Sequence, residues 1–311
     1  TKKVSLFNLK LQKTKLKLYS QKQIIYLVCS HVSKRDFERL GIKNWIDNGW
    51  KVEVFDITKF LFPSFSKYIN RNKSSFYFEG LRIFQNINEV LSTLNNLKNK
   101  VVFIDNIGFS SEEQKIRRAA RNHGVLVRIK LGSIPESKNK KNIFSVFSLI
   151  KNPISLLNKI ISFFKNKIEK ISAQKYFSDY IVVGGIKSMS GINDKKTSII
   201  KAHNMDYDIF IQEKQTKLNK KTNSIVFIDG GGAYHSDDIR FGVTPGVTAD
   251  DYYPVINRGL NEIEKSLKLN IKIAAHPKSN FEMSQKKYNH SIFVNKTFEL
   301  IRDADIVVSH S

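Results

Sequence analysis

An α/β fold in two domains, each built on a parallel sheet, is the architecture this sequence predicts, and three observations carry it. Apolar, β-branched runs of strand length alternate with amphipathic stretches of helical spacing. The alternation runs twice, interrupted by a polar, lysine-rich stretch at 212–223. Three runs in the second half stop abruptly in Asp-Gly, His-Pro and Ser-His-Ser, polar ends of the kind that meet ligands at the carboxyl edge of an open parallel sheet.

The elements follow in order. Residues 1–22 form a basic amino-terminal segment whose Leu/Lys alternation contains no uninterrupted apolar core and no small-residue cleavage site, so no secretory signal is expected. The amino-terminal domain is placed at 23–211. Its first strand is 23–30, continuously apolar as in a strand buried on both faces. An amphipathic helix over 36–46, a turn at Asn48-Gly49 and an alternating strand over 50–56 complete a β-α-β unit. The pattern returns as a strand at 101–105, a helix at 112–122 closed by Gly124, and a strand at 125–129; a further strand is read at 180–185. After the linker 212–223, the carboxyl-terminal domain is placed at 224–311. It has strands at 224–229, 271–275 and 306–308 and helices at 252–267 and 297–303.

Residues 138–172 differ from everything around them. Apolar residues from Ile143 to Ile171 recur at three- to four-residue steps, while Lys151, Lys159, Lys165, Lys167 and Lys170 fall at other angles, and Pro153 starts the second of two helices. Such an insertion lies in the plane of an anionic membrane surface or packs on its own domain with snorkelling lysines; the stripe requires burial in either case.

Composition bounds the function. With 41% hydrophobic residues the chain is too apolar for intrinsic disorder, and its apolar stretches are broken before the roughly 18 residues needed to span a bilayer. The single cysteine, Cys29, excludes an internal disulfide and a zinc site of several thiolates, and fits a reducing compartment. The 52 Lys+Arg against 28 Asp+Glu leave a net charge of +24, which favours an anionic partner, although abundant Lys, Asn and Ile also read as solvated surface. No RNA-binding signature with stacking aromatics is visible, so nucleic acid is not an expected partner.

Chemistry concentrates at the strand ends. Asp229-Gly230-Gly231-Gly232 joins a carboxylate to residues that let backbone N–H groups approach a ligand, without the spacing of a Walker A or a G-x-G-x-x-G motif. His235, Asp237 and Asp238 follow in the same loop, matching no common metal spacing, so no metal is expected there. His276-Pro277-Lys278-Ser279 offers donors to a phosphate or carboxylate, Ser309 and Ser311 place hydroxyls at another strand end, and His31 stands at the first strand tip. There is no G-x-S-x-G elbow, and Cys29 has no evident base partner, so nucleophilic hydrolysis is not indicated.

The order strand-Asp-Gly, then "IKIAAHPKSN", then "FELIRDADIVVSHS" resembles the carboxyl-terminal half of bacterial surface-polysaccharide glycosyltransferases of the GT-B architecture, two Rossmann-like domains facing across a cleft. It is similar to the sialyltransferase-like and Kdo-transferase-like families that use CMP-activated sugars and share a D/E-D/E-G motif, an HP motif and a serine motif. Asp229 and Gly230 match the last two members of the acidic motif, with Ile228 where a first acidic residue often stands; His276 and Pro277 match the HP pair, and Ser309 and Ser311 the serine motif.

The resemblance implies an inverting transfer with Asp229 as general base and a nucleotide site formed by Gly230, Gly231, His276, Pro277, Lys278, Ser309 and Ser311. It leaves His31, His235, Asp237 and Asp238 as acceptor-side candidates. No cofactor is required; the implied partners are a CMP-sugar donor, with a UDP- or GDP-sugar as the rival, a glycan or lipid-linked glycan acceptor, and an anionic membrane surface. The implied place is the cytoplasm, peripheral to the inner face of the plasma membrane, in polysaccharide, capsule, O-antigen or lipopolysaccharide assembly. Domains of this kind carry further elements after the serine motif, so the second domain is expected to be incomplete at Ser311. A non-catalytic polyanion-binding protein and an enzyme of phosphorylated metabolites are the readings from other classes.

Overall fold

The apolar run after Lys22 becomes β1 (Gln23–Val28), every residue of which is buried. In the computed structural model of the chain, which describes residues 22–72, 76–131, 178–185, 188, 192, 197–208, 210–211, 222–242, 246–276 and 281–309, β1 lies inside a parallel sheet. Two compact units separate: Thr1–Leu61 with Ser75–Met205, and Phe62–Ser74 with Asp206–Ser311. The expected linker at 212–223 falls almost wholly outside the described residues, as does the basic insertion at 138–172. Residues 62–74, which the sequence alone assigns to the first domain, group with the second unit.

In the first unit, seven strands among the described residues run parallel in the order β3 (Leu81–Ile83), β2 (Lys51–Asp56), β1, β4 (Val101–Asn106), β5 (Gly124–Lys130), β6 (Tyr180–Gly184) and β7 (Ser198–Ala202). Chain order reverses between β1 and β4, which makes their carboxyl ends the switch point where an open sheet leaves room for a ligand. Helices connect the strands and bury their apolar faces on the sheet. Ile42, for example, is fully buried with Ile24, Tyr26 and Val54.

Local chemistry explains where this unit departs from the sequence expectation. The helix expected over 36–46 is two, α1 (Lys34–Arg39) and α2 (Ile42–Asp47), because Gly41 takes a left-handed φ of 70° between them. Ser33 caps α1 reciprocally with Asp36. The strand expected to alternate over 50–56 is instead buried at five of its six positions. Glu53 tolerates that burial because Gln23 Nε2 donates to it at 2.7 Å and Arg82 lies at 2.8 Å. Gly124 closes α6 (Ser111–His123) as expected and also opens β5. Its φ of 170° is ordinary extended backbone; glycine is needed because a Cβ there would run into the Val101 carbonyl. Four elements of this unit went unread: α3 (Thr58–Leu61), the edge strands β3 and β7, and α5 (Ile87–Asn95), capped by Asn86.

The second unit repeats the logic on a smaller scale. Among the described residues four parallel strands stand in the order β10 (Ser291–Phe293), β9 (Asn270–Ala274), β8 (Ser224–Ile228) and β11 (Ile306–Ser309). Here the reversal falls between β8 and β11. The long amphipathic helix α8 (Ala249–Leu267), capped by Thr248, covers the sheet with Tyr253 and Leu260, which pack with Ile225, Phe227, Ile271 and Ile273. The helix α4 (Pro63–Asn72) belongs to this unit; Arg240 of α7 (Ser236–Phe241) lies 4.7 Å over the Phe62 ring, and Phe241 meets that ring edge-on at 6.3 Å. The shorter helices α9 (Phe281–Gln285) and α10 (Thr297–Asp303) complete the connections.

Candidate functional site

The second unit gathers its polar strand ends at the switch point. Beyond Ile228, the Asp229 N–H still bonds the Ala274 carbonyl at 3.0 Å, so the chain leaves the sheet only after the aspartate. The Asp229 side chain then folds back and accepts the Gly231 N–H at 2.9 Å, an Asx turn that reverses the backbone. Gly231 and Gly232 adopt φ values of 93° and 40°, conformations open to glycine. A Cβ on Gly231 would come within 2.8 Å of His235 Cδ2, and one on Gly232 would enter the Tyr252 ring, so both side chains lie directly against bare backbone. Ser309 pairs in register with Ile228 and is exposed beside the loop.

His235 and His276 meet here, from different strand ends, with ring centroids 4.6 Å apart at 44°. The sequence reading placed His276 with the nucleotide and His235 with the acceptor; the structure brings them together. The His235 Nδ1 accepts the Asp237 N–H at 3.1 Å, which leaves the proton of the neutral ring on Nε2 as a donor. The Asp237 carboxylate stands 3.8 Å from the same nitrogen. Among the described residues, no three His, Cys, Asp or Glu side chains are arranged as a metal-ligand set. Pro277, Lys278 and Ser311 lie outside the described residues.

Asp229 itself is only 2% exposed. Tyr252 is pushed up to about 12, by burial first and then by the Asp229 charge. Tyr253 and Tyr288 are pushed up in the same way, burial first and the Asp229 charge second. A sequence signal for Asp229 as a buried anchor exists. Val226-Phe227-Ile228-Asp229 repeats Val102-Phe103-Ile104-Asp105, whose aspartate is likewise buried, at 1% exposure.

The first unit has its own polar crevice at β1 and β4. His31, three residues beyond β1, holds Nδ1 3.2 Å from the Asp56 carboxylate at the end of β2. Asp56 is 1% exposed, and its other oxygen accepts the Thr58 N–H at 2.9 Å. An ionised carboxylate only accepts, so His31 Nδ1 is the donor in this contact; the side chain is 21% exposed. Asp56 was missed in the sequence because nothing local links it to a residue 25 positions away.

Across the crevice, the loop after β4 is pinned from below. Arg117 grips Asp105 through Nε at 2.8 Å and Nη2 at 3.1 Å, and also donates to the Gly108 carbonyl at 2.8 Å. Glu113 accepts the N–H groups of Gly108 at 2.7 Å and Ser110 at 2.8 Å. Arg128, lowered by burial and partly restored by Asp105, lies 4.3 Å over the Phe109 ring. Cys29 is buried beside this loop, its Sγ 3.8 Å from the Asn106 carbonyl.

No protein-family model matches the chain, and no curated protein matches it. Among solved structures it is similar to an alpha-glucosyltransferase in complex with UDP and a 13-mer DNA containing a central A:G mismatch, with a TM-score of 0.43 and 9% identity over 93% of this chain and 71% of that one. It is also similar to MurG of Acinetobacter baumannii, with a TM-score of 0.40 and 10% identity over 93% of this chain and 72% of that one. Scores and identities this low establish neither a shared donor nor a shared reaction.

Proposed function

We propose that the protein is an inverting glycosyltransferase whose nucleotide-sugar donor binds at the carboxyl ends of β8, β9 and β11. The observation that carries this reading is the imidazole pair His235/His276 set against a glycine loop at the switch point: hydrogen-bond donors suited to phosphate, beside backbone that a ligand can approach closely. The acceptor oxygen attacks the anomeric carbon and gives its proton to Asp229. The bond from that carbon to the donor phosphate breaks, and the charge left on the phosphate is taken by His235 and His276.

Asp229 holds the motif position of the base, and the Gly231 N–H that its carboxylate accepts at 2.9 Å sets it in the turn. A CMP-linked sugar acid is the proposed donor, on the motif resemblance, in the assembly of a surface polysaccharide or lipopolysaccharide.

A thermal-shift titration with CMP, UDP, GDP and their sugars tests the donor class. A nucleotide that binds stabilises by about 2.7 kcal/mol at a hundred times its Kd. CMP derivatives are expected to act, UDP or GDP derivatives acting instead would replace the donor, and no effect from any would remove the function. His276→Ala should weaken nucleotide affinity by about 1.5–3 kcal/mol; unchanged affinity would take the residue out of the site.

No helix among the described residues is long and apolar enough to cross a membrane. Association of 138–172 with anionic lipid is therefore proposed as the route to a lipid-linked acceptor at the inner face of the membrane. Co-sedimentation with liposomes should require anionic lipid, with each lysine near the surface worth about 1 kcal/mol. It should disappear when Lys159, Lys165, Lys167 and Lys170 become glutamate. Protein that stays in the supernatant at low salt would assign the segment to internal packing.

A further inference from the structure

We infer that the first unit carries a ligand site of its own, between the β1, β2 and β3 strands and the end of α5, that takes a small phosphomonoester such as a phosphorylated sugar or polyol. The site shares no residue with the glycine loop of the second unit, so the inference stands apart from the donor-site reading. Register lays its floor. Lys51, Glu53 and Phe55 alternate onto one face of β2, with Gln23 paired beside Lys51 and Arg82 beside Phe55. Val52 and Val54, on the opposite face, join the core with Ile42. A cavity of about 380 Å³ opens over the polar row, walled on its other side by residues between Thr93 and Asn99, where α5 ends. That volume suits a small molecule.

The charge of the lining selects the ligand. Glu53 has a side chain only 7% exposed, and an aliphatic residue would serve the sheet as well as a buried ion pair does. What the carboxylate does is set cations in place. Arg82 Nη2 lies 2.8 Å from one oxygen and Lys51 Nζ 3.5 Å from the other, which also accepts from the buried Gln23 Nε2 at 2.7 Å. Arg82 and Lys51 are 52% and 63% exposed, too wet for these pairs to add much stability and open to a ligand from the cavity. On the facing wall Lys98 is exposed and makes no ion pair among the described residues. Three cations around one carboxylate leave an excess of two charges. A phosphomonoester, with about two negative charges at neutral pH, matches that excess, whereas a carboxylate supplies one. The carboxyl end of α5 contributes about half a negative charge, too little to reverse the balance. Asn96 and Asn99 add amide groups suited to the hydroxyls of a sugar or polyol.

The test is calorimetric titration of the full chain with glycerol 3-phosphate, with glycerol and lactate as controls. Saturable binding of the ester at one site is expected, tighter than that of either control and weakening below about pH 6, where the ester loses its second charge. Arg82→Gln should weaken it about tenfold, the size of a lost hydrogen bond to a charged group. Lys98→Gln should weaken it and reduce its dependence on salt. Lys265→Gln, at an exposed lysine of the second unit, should change nothing. If Arg82→Gln fails to fold, Lys98→Gln decides, since an exposed side chain without an ion pair can be shortened safely. Vesicles containing phosphatidic acid distinguish the source of the phosphate. Sedimentation that falls in Arg82→Gln assigns the same group on a lipid, and sedimentation that does not, with glycerol 3-phosphate bound, assigns the free ester. Binding of neither, lactate bound as tightly as the ester, or equal losses in Lys265→Gln would overturn the inference. So would a loss in His276→Ala with none in Arg82→Gln, which would put the phosphate at the glycine loop.

Discussion

Replacement of Asp229 by asparagine should lower kcat by about two to four orders of magnitude, the usual contribution of a positioned general base, while donor binding persists. The carboxylate is 2% exposed and accepts the Gly231 N–H at 2.9 Å, so asparagine keeps the shape of the side chain and removes the proton acceptor. Steady-state rates and nucleotide titrations of the same variant separate turnover from binding. Near-normal turnover in Asp229→Asn would move the base elsewhere, with Asp237 or Asp238 the first candidates.

Arg117→Met should destabilise the first unit by about 3–5 kcal/mol, because it strips the main partner from a carboxylate that water cannot reach. Arg117 and Asp105 have side-chain exposures of 1% and 0% and meet through two short bonds. Arg128, at 3.4 Å and 26% exposed, is too distant and too wet to replace the lost guanidinium. The Gly108 carbonyl loses its donor at the same time, so the loop at the switch point should loosen before the sheet does. Urea unfolding reads the loss as a shift in midpoint. The double variant Asp105→Leu with Arg117→Met removes both charges and should recover most of the stability, as apolar replacements of buried pairs commonly do. A cost below about 1 kcal/mol in the single variant, the range of a surface pair, would mean that water reaches the pair after all.

The two replacements separate two kinds of legibility in this chain. The strands at Gln23–Val28, Val101–Asn106, Ser224–Ile228 and Asn270–Ala274 can be read directly, because a strand buried on both faces must be apolar at every position and that demand is local. The same holds for the carboxyl ends: Asp229, His276 and Ser309 stand out because polar residues halt apolar runs there. Short edge strands leave no such mark. Leu81–Ile83 buries one residue of three, and only its pairing with Val54, Phe55 and Asp56 makes it a strand. Gly124 closes its helix as read, but its second demand leaves no local mark, since what it avoids is the Val101 carbonyl on another strand.

Partnership across the sheet is the part that only the tertiary structure decides. The sequence by itself determined the class of fold, the parallel strands and the set of polar residues at their ends. It did not say that Asp56 stands behind His31, that His235 lies against His276 rather than standing apart from it, or that the Tyr252 ring packs on Gly232. Periodicity records which face of one element is buried. The order in which strands lie side by side reverses at β1 and β4 and again at β8 and β11, and it is this order that brings residues distant in the chain to one crevice. The burial and the hydrogen-bond partner at each polar position exist only once the sheets have formed.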